Sequence, residues 1–244
     1  MPSQNKISAG SYDLNKWLFG GYEKDIITMI AGSPGSGKTN FVTLAACSQA
    51  KKGNKVLFID TEGGFSPERV KQIAPEEHEE ILKNILIMKP TNFNEQQEVL
   101  NTLRNTIKKE SVSLIIVDGM AMLYRLELGD AAQSDNGENI KNINMEVAKQ
   151  MRDLAEIARK QEIPIIITNQ VYSNFLTEED LKNGIKKSTS IVGGDLFRYW
   201  SKCIIELSND NRKRKASLLK HRFLPEKDLY FEIRDRGIFR KRLF

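Results

Sequence analysis

A phosphate-binding loop is the part of the sequence whose residue types and spacing predict chemistry most directly. Its pattern is GxxxxGK[ST], and its residues are Gly32, Ser33, Pro34, Gly35, Ser36, Gly37, Lys38 and Thr39. A β-branched run precedes the loop and a helical pattern follows it, which is the context that the motif requires. Glycines let the backbone curl so that N–H groups face phosphate oxygens, and the helix N-terminus adds partial positive charge. Because Lys38 can reach the β- and γ-phosphates and Thr39 can coordinate Mg²⁺, the loop predicts a nucleoside triphosphate site.

Polar side chains at the ends of three predicted strands supply the other groups that hydrolysis needs. Asp118 follows the apolar run 114–117, at the strand end where open α/β sheets bind ligands, and we expect it to hold Mg²⁺ through water. Glu62 is the candidate that polarises the attacking water, with an exposed loop carboxylate as the alternative interpretation, and Asp60 is the weaker candidate. The amide of Gln170 could hydrogen-bond the γ-phosphate and report its loss.

Strands and helices alternate along the first two thirds of the chain. Almost wholly apolar runs predict strands at residues 26–31, 56–60, 85–88, 112–118 and 163–169. Helical patterns occupy residues 38–51, 94–110 and 140–161. Strands this apolar are buried on both faces, as in parallel sheets, so we expect an α/β fold with helices on both sides of the sheet.

The last third of the chain changes character. Short strands are predicted at residues 203–207, 215–219 and 229–233, with turns and no helix between them. Strands connected in this way pair with one another in sequence order. We therefore predict an antiparallel meander at one edge of the sheet.

Composition excludes several classes of protein. The chain has 244 residues, of which 40% are apolar and 28% charged, as is ordinary for a globular protein. No apolar run approaches the length of a membrane span and no signal peptide is recognisable, so we expect a cytoplasmic protein without a membrane partner. The two cysteines, Cys47 and Cys203, are far apart, and there are only two histidines, so we expect neither a structural zinc site nor a disulfide scaffold.

The net charge is unevenly distributed along the chain. Residues 1–170 contain 20 Lys and Arg against 22 Asp and Glu, a net charge of −2, whereas residues 171–244 contain 17 against 10, a net charge of +7. The basic third could face a polyanion, or it could be a solvated surface with a basic tail.

The motifs, in this order and spacing, resemble the core of the RecA/RadA recombinase family. The resemblance extends from about residue 7 to residue 238, and it is closest to the archaeal RadB paralogues of that family. Its most specific segments are DTEGGFSPER at 60–69, KHRFLPE at 220–226 and FEIRDRGI at 231–238. It implies a RecA-type P-loop ATPase core, with a mostly parallel central sheet flanked by helices and a C-terminal antiparallel meander.

The resemblance also implies roles for individual residues. Glu62 would be the catalytic glutamate, and the planar guanidinium of Arg69 would lie against the adenine of ATP. Gln170 would sense the γ-phosphate and lead into the second DNA-binding loop. Lys220 and Arg222 match the region that reaches the nucleotide of a neighbouring subunit in related ATPases.

Departures from the family pattern limit what the resemblance implies. The core begins within the first ten residues, so residues 1–244 are expected to form a single domain without a separate N-terminal helix-hairpin-helix domain. The Phe-x-x-Ala tether used for filament assembly is absent from the short N-terminus, and Gly119 stands where Ser is typical. We therefore expect nucleotide binding but no strand exchange by the chain itself. The resemblance to the RadB paralogues implies, in addition, weak ATPase activity and weak DNA affinity.

Several basic and aromatic residues are candidates for contacts with DNA, because single-strand binders combine cations with stacking rings. The first DNA loop, at about residues 119–139, contains Tyr124 beside Arg125. The second loop, at about residues 172–191, begins with Tyr172 and Phe175 and contains Lys182, Lys186 and Lys187. The remaining candidates are the hairpin cluster Arg212, Lys213, Arg214 and Lys215 and the terminal Arg240, Lys241 and Arg242. The alternatives are turn solubility for the hairpin, a frayed tail for the terminus and core packing for Phe175.

The resulting prediction is an ATP- and DNA-binding accessory protein of homologous recombination and repair. Its expected partners are single-stranded DNA, bound with little sequence preference, and the main recombinase or a branched-DNA nuclease. One alternative is a DNA-binding scaffold that uses ATP only as a structural ligand. The other is a signalling ATPase of the circadian-clock type or a helicase-like motor.

Overall fold

The computed structural model describes residues 5–133, 137–173, 189–210 and 213–241. A two-stranded antiparallel sheet, β1 (Lys6–Ile7) and β2 (Tyr22–Glu23), lies at the N-terminus on either side of helix α1 (Tyr12–Trp17). The strands that follow are β3 (Ile27–Gly32), β4 (Lys55–Asp60), β5 (Ile85–Met88), β6 (Val112–Asp118), β7 (Ile165–Ser173) and β8 (Thr189–Ile191). The helices between them are α2 (Lys38–Ala50), α3 (Pro67–Ile73), α4 (His78–Lys83), α5 (Phe93–Glu110), α6 (Met122–Gln133) and α7 (Gly137–Gln161).

The C-terminal part forms the predicted meander. A short helix, α8 (Gly194–Trp200), leads into the strands β9 (Ser201–Asp210), β10 (Lys213–Lys220), β11 (Lys227–Arg234) and β12 (Gly237–Arg240). Each of these strands pairs antiparallel with the next. The sequence predicted the first three and missed β12, a short strand at the outer edge of the sheet.

One central sheet positions the candidate residues. Its strand order is β12-β11-β10-β9-β3-β7-β6-β4-β5, with β8 paired to β7 outside this path. The pairs β3–β7, β3–β9, β6–β7, β4–β6 and β4–β5 are all parallel. The predicted fold class is therefore confirmed: a mostly parallel central sheet, flanked by helices, with a C-terminal antiparallel meander.

The two faces of the sheet are covered by two separate apolar clusters. All six residues of β3 are buried, and successive residues of that strand alternate between the clusters. On one face, Phe41 and Leu44 of α2 pack with Phe231 of β11. On the other face, Leu103 of α5 and Met151 of α7 cover the sheet. Each fully buried side chain of this size contributes roughly 1.5–3 kcal/mol, so burial on both faces fixes the strand ends that carry the site.

The prediction that residues 119–139 form a loop is wrong. The segment contains α6 and the beginning of α7, which starts at Gly137 rather than at residue 140. The polar residues of α6 are mostly good helix formers, and its apolar side packs through Leu123 and Ala131. The helix packs chiefly against α7, which follows it, and against α5, whereas local polarity alone indicated a loop.

Among the described residues, none of the helices combines the length and hydrophobicity that a membrane span requires.

Candidate functional site

The phosphate-binding loop connects β3 to α2 at the carboxyl end of the parallel strands. Gly35 and Gly37 have φ angles of +72° and +111°, a backbone region that side chains rarely adopt. Gly37 is the N-cap of α2, no side chain caps the helix, and its first turn has no acidic residue. The first N–H groups of the helix therefore remain available to an anion.

Lys38 lies inside the loop rather than in solvent. Its Nζ donates hydrogen bonds to the carbonyl oxygens of Gly32, at 2.9 Å, and Ser33, at 3.2 Å. Burial lowers the pKa of Lys38, while the nearby carboxylates of Glu62 and Asp118 act in the opposite direction. An ammonium held only by neutral carbonyls can exchange them for phosphate oxygens, which are stronger acceptors for a charged donor.

Asp118 is fully buried and hydrogen-bonded through both carboxylate oxygens. Oδ2 accepts a hydrogen bond from the Thr39 hydroxyl at 2.8 Å, and Oδ1 accepts one from the Thr168 hydroxyl at 2.6 Å. Burial raises the pKa of Asp118, and these two hydrogen bonds partly offset the shift. The strands β3, β6 and β7 thus bring together a loop hydroxyl and a carboxylate from distant parts of the chain.

The donor set at this point fits Mg²⁺ bound together with a nucleotide. Thr39 and Asp118 offer adjacent oxygen atoms, and Mg²⁺ prefers oxygen ligands with few carboxylates, completed by phosphates and water. In the part of the chain that the structure describes, no group of three or more His, Cys, Asp or Glu residues could hold a metal ion alone. The arrangement thus suits a metal ion that binds together with the phosphates of a nucleotide.

Asp60 and Glu62 have different environments although they are two residues apart. The Asp60 oxygens accept hydrogen bonds from the backbone N–H groups of Gly64 and Phe65, both at 3.0 Å. Asp60 therefore holds the loop that follows β4. Glu62 instead accepts a hydrogen bond on Oε1 from Nε2 of Gln170, at 3.1 Å. The structure thus brings together the two residues that were predicted to handle water and the γ-phosphate.

Gly119 is the residue that allows Glu62 to lie where it does. Its φ is +92°, and a Cβ there would be 2.4 Å from Thr61 Oγ1 and 2.6 Å from Glu62 Cγ. The Thr61 hydroxyl is bonded to the carbonyl oxygens of Asp118 and Gly119, at 3.0 and 2.8 Å. The sequence marked Gly119 as a departure from the family pattern but gave no sign that it contacts Glu62.

Arg69 lies beside the first turn of α2. Its Nε donates to Asn40 Oδ1 at 2.8 Å, and its Nη atoms donate to Gln72 and to the backbone oxygens of Asp235 and Arg234. The guanidinium is thus fixed at its edge by α2, α3 and the turn between β11 and β12. Because all these bonds lie in the guanidinium plane, its flat face is the part suited to stacking on a base.

The hairpin cluster is divided between two environments. Arg214, predicted to contact DNA, donates from Nη1 to the carbonyl oxygens of Gly35 and Ser36, at 2.8 and 3.0 Å. Lys215 is ion-paired with Asp228 at 3.3 Å, and Lys213 is exposed. No sequence pattern indicates the contact of Arg214, because its partners lie 179 and 178 residues away.

The prediction that Tyr124 stacks on DNA bases is wrong for this structure, because its ring is buried. Only 8% of the residue is exposed, and the ring packs edge-on to Phe197 with centroids 6.4 Å apart. Its hydroxyl donates to Asn144 Oδ1 at 2.6 Å, and burial raises its pKa. Arg125 faces the other way and stacks on Tyr172, with 4.1 Å between the guanidinium carbon and the ring centroid.

A cavity of about 490 Å³ connects this stacked pair with the catalytic candidates. Arg125 and Tyr172 line one part of it, and Glu62, Gly119 and Gln170 line another. No residue of the phosphate-binding loop lines this cavity. It brings a cation and an aromatic ring close to the amide that was predicted to sense the γ-phosphate.

Lys220 and Arg222 have partners within the chain. Arg222 forms ion pairs with Asp25, at 2.6 Å, and Glu23, at 3.3 Å, and the hydrogen bonds that it donates to Asp25 raise its pKa. Lys220 Nζ donates to the carbonyl oxygen of Arg198 at 2.8 Å. A contact with a neighbouring subunit would require Arg222 to exchange these partners.

Several predicted DNA contacts lie outside the described residues. They are Phe175, Lys182, Lys186, Lys187, Arg212 and Arg242. Their predicted roles stay predictions.

Comparison with known proteins gives matches over almost the whole chain. The family model described as Rad51 matches residues 3–241. The chain is 41% identical over 239 residues to the "DNA repair and recombination protein RadB" of Methanobrevibacter smithii, which covers 96% of the chain and 95% of that protein. Proteins of the same name from Methanococcus maripaludis and Methanocaldococcus jannaschii are 42% identical over 226 residues and 40% identical over 225 residues. Each of these two alignments covers 92% of the chain, and they cover 96% and 98% of the respective relatives.

Proposed function

The chain belongs to the Rad51 family, as its motifs predicted, and from that premise we propose that it is an ATP- and DNA-binding accessory protein of homologous recombination and repair. The names of its relatives, DNA repair and recombination proteins, support this role. As its protein partner we propose the main recombinase or a branched-DNA nuclease, and membership of a recombinase family supports the first of these.

One observation carries the proposal: the groups that bind and cleave a nucleoside triphosphate converge at one edge of the sheet. Lys38, Thr39 and Asp118 are joined to the loop or to one another by hydrogen bonds. Glu62 follows β4 and is hydrogen-bonded to Gln170 of β7, with β6 between these two strands. Chance placement of one such residue is common, whereas convergence of all five from four strand ends is specific to this chemistry.

The chain's own residues would divide the work of ATP binding and hydrolysis. The loop N–H groups and Lys38 bind the phosphates, and Thr39 with Asp118 holds Mg²⁺, which supplies charge stabilisation to the transferring phosphoryl group. Glu62 accepts the proton of the attacking water or polarises it. Arg69 presents its guanidinium face to the adenine.

The bond between Glu62 and Gln170 connects the candidate base with the candidate sensor of the γ-phosphate. The Gln170 amide uses one acceptor site on Oε1 of Glu62, and an ionised carboxylate keeps further acceptor sites for a water molecule. That hydrolysis is weak is proposed from the family resemblance. A γ-phosphate competes for the same amide and thereby frees the carboxylate. Since Gln170 lies in β7, which leads to the predicted second DNA loop, the same exchange would connect nucleotide state to DNA contact.

The alternative is a non-hydrolysing DNA-binding scaffold that uses ATP only as a structural ligand. The scaffold and the ATPase would both bind ATP and DNA, and only the ATPase would hydrolyse ATP. A single-turnover experiment with ATP and Mg²⁺ separates them, because a scaffold releases no phosphate above the rate of a Lys38→Ala variant.

DNA binding rests on exposed cations near the cavity and in the basic third of the chain. Arg125 and Tyr172 form a stacked, exposed pair, and Lys213 lies on the hairpin. A cation beside a ring is the combination that single-strand binders use, and it carries little sequence specificity.

A salt titration of single-stranded DNA, with and without ATP, tests this proposal. Each neutralised phosphate contributes a slope of about −0.7 in log K against log[salt], so we expect Arg125→Ala to flatten the slope by about that amount. The control is Arg152→Ala, which removes an exposed arginine from α7 and should leave the slope unchanged. If the wild-type chain has no salt-dependent affinity for any DNA, the proposal fails and a signalling ATPase becomes the better interpretation.

A further inference from the structure

Arg214 is anchored on both sides by the meander and reaches out to the phosphate-binding loop. It lies in β10, opposite Asn209 of β9 and Phe231 of β11. From this position, Nη1 donates to the carbonyl oxygens of Gly35 and Ser36, at 2.8 and 3.0 Å. The base of the side chain is held by a sheet, whereas the loop it contacts has no regular secondary structure between β3 and α2.

The direction of these two carbonyls matters for phosphate binding. A loop whose N–H groups converge on an anion points its carbonyl oxygens away from that anion. Those oxygens then carry partial negative charge on the outer surface of the loop. A guanidinium bonded to two of them neutralises this charge with charge-assisted hydrogen bonds, which are stronger than bonds from neutral donors.

A second contact presses the same part of the loop against the meander. A Cβ on Gly37 would be 2.9 Å from Ile233 Cδ1 and 4.0 Å from Phe231 Cε2, both on β11. The apolar side chains of β11 thus limit how far the loop can move outward. Arg214 adds the polar contact that fixes the orientation of the peptide groups.

We propose that Arg214 is a positioning residue of the nucleotide site, and this rests on the proposed binding of ATP. It holds the Gly35 and Ser36 carbonyls outward, so that the adjoining N–H groups face the phosphates before ATP arrives. Preorganised donors bind without the loss of conformational freedom that ordering the loop would otherwise require. Arg214 therefore acts on recognition of the phosphate chain, and it is not the DNA contact that its place in a basic hairpin suggested.

The test compares the affinities of ATP and adenosine, with the Arg214→Ala, Arg214→Lys and Arg152→Ala variants. We expect Arg214→Ala to weaken ATP binding by roughly tenfold, the scale of one lost hydrogen bond to a charged group. Adenosine affinity should stay within twofold, because adenosine has no phosphates and makes no use of the loop. Arg214→Lys should recover part of the ATP affinity, since an ammonium still donates to a carbonyl. Arg152→Ala, an arginine removed from the exposed face of α7, should behave as wild type.

Three results would overturn the proposal. Equal weakening of ATP and adenosine would mean that Arg214 only maintains the fold. Unchanged ATP affinity in Arg214→Ala, with ATP bound normally by the wild type, would remove the positioning role while the proposed function stands. If neither the wild type nor Arg152→Ala bound ATP, both the positioning role and the proposed function would fail.

Discussion

The two sides of Glu62 are built differently. On the side of the phosphate-binding loop, the polar groups are buried and bonded to one another, so that both oxygens of Asp118 already have partners before any ligand is bound. On the side of the cavity, Arg125 and Tyr172 are exposed and stack on each other. The first side is organised for a small ligand of fixed shape, whereas exposed side chains can adapt to an extended polyanion.

The bond between Glu62 and Gln170 lies at the boundary between these two sides. It joins a catalytic candidate to the strand that leads toward the predicted second DNA loop. Variants that change one side and leave the other intact are therefore the sharpest way to examine the difference, and we order them by the size of the expected effect.

Tyr124→Ala should cause the largest change, because the ring belongs to the buried core beneath the cavity. Loss of a large buried aromatic side chain costs about 3–5 kcal/mol of unfolding free energy. Tyr124→Phe should cost only about 1 kcal/mol, since it removes one hydrogen bond to the exposed Asn144. Urea denaturation measures both values. A Tyr124→Ala variant as stable as wild type but weak in DNA binding would restore the predicted stacking role.

Glu62→Gln should lower single-turnover hydrolysis by roughly 10²-fold or more while ATP affinity stays within a few-fold. The amide oxygen of the new side chain can still accept the hydrogen bond from Gln170, so the geometry is kept and only the basic group is lost. Asp60→Asn is the matched control. It should instead lower stability, because an amide cannot accept both backbone N–H groups that Asp60 accepts. Unchanged chemistry in Glu62→Gln would exclude the proposed role of Glu62.

Asp118→Asn should have a smaller effect. It should maintain or raise the stability of the ligand-free protein, and it should remove the contribution of Mg²⁺ to stabilisation by ATP. Because burial raises the pKa of Asp118 in the folded state, ionisation of this carboxyl costs stability as the pH rises above its unfolded value of about 3.9. The ligand-free variant should therefore be at least as stable as wild type at pH 7, and its advantage should shrink as the pH falls. Stabilisation by ATP should lose its Mg²⁺ dependence. Denaturation curves between pH 4 and 8 would contradict this if the variant were less stable at pH 7.

The parts of the molecule that the sequence predicted are those encoded by contiguous residues. The phosphate-binding loop occupies eight successive positions, and the apolar runs of β3, β4, β6 and β7 identify buried parallel strands with bounds correct to within four residues. Glu62 and Gln170 were found because each ends such a strand. Their mutual hydrogen bond, across 108 residues, could not be predicted.

The parts that were missed depend on contacts between distant segments. Tyr124 lies in α6 and contacts Asn144 of α7 and Phe197 of α8, and these contacts, which bury its ring, could not be inferred from its neighbours in sequence. Arg214 was grouped with its sequence neighbours as a basic cluster. In the fold, Arg214 contacts the phosphate-binding loop while Lys215 pairs with Asp228. A run of basic residues in the sequence shows only that the segment is positively charged. The contact that each basic side chain makes depends on the fold.

The central claim, that the loop at Gly32–Thr39 binds ATP with Mg²⁺, is tested most directly by thermal unfolding of wild type, Lys38→Ala and Lys141→Ala with and without Mg-ATP. Lys38 is buried in the loop, whereas Lys141 is an exposed lysine of α7 that serves as the matched control. At a ligand concentration of about 100 Kd, binding adds about 2.7 kcal/mol, which raises the Tm by roughly 5–10 °C for a chain of this size. We expect this rise in wild type and Lys141→Ala and almost none in Lys38→Ala. An equal rise in all three proteins, or none in wild type, would contradict the account.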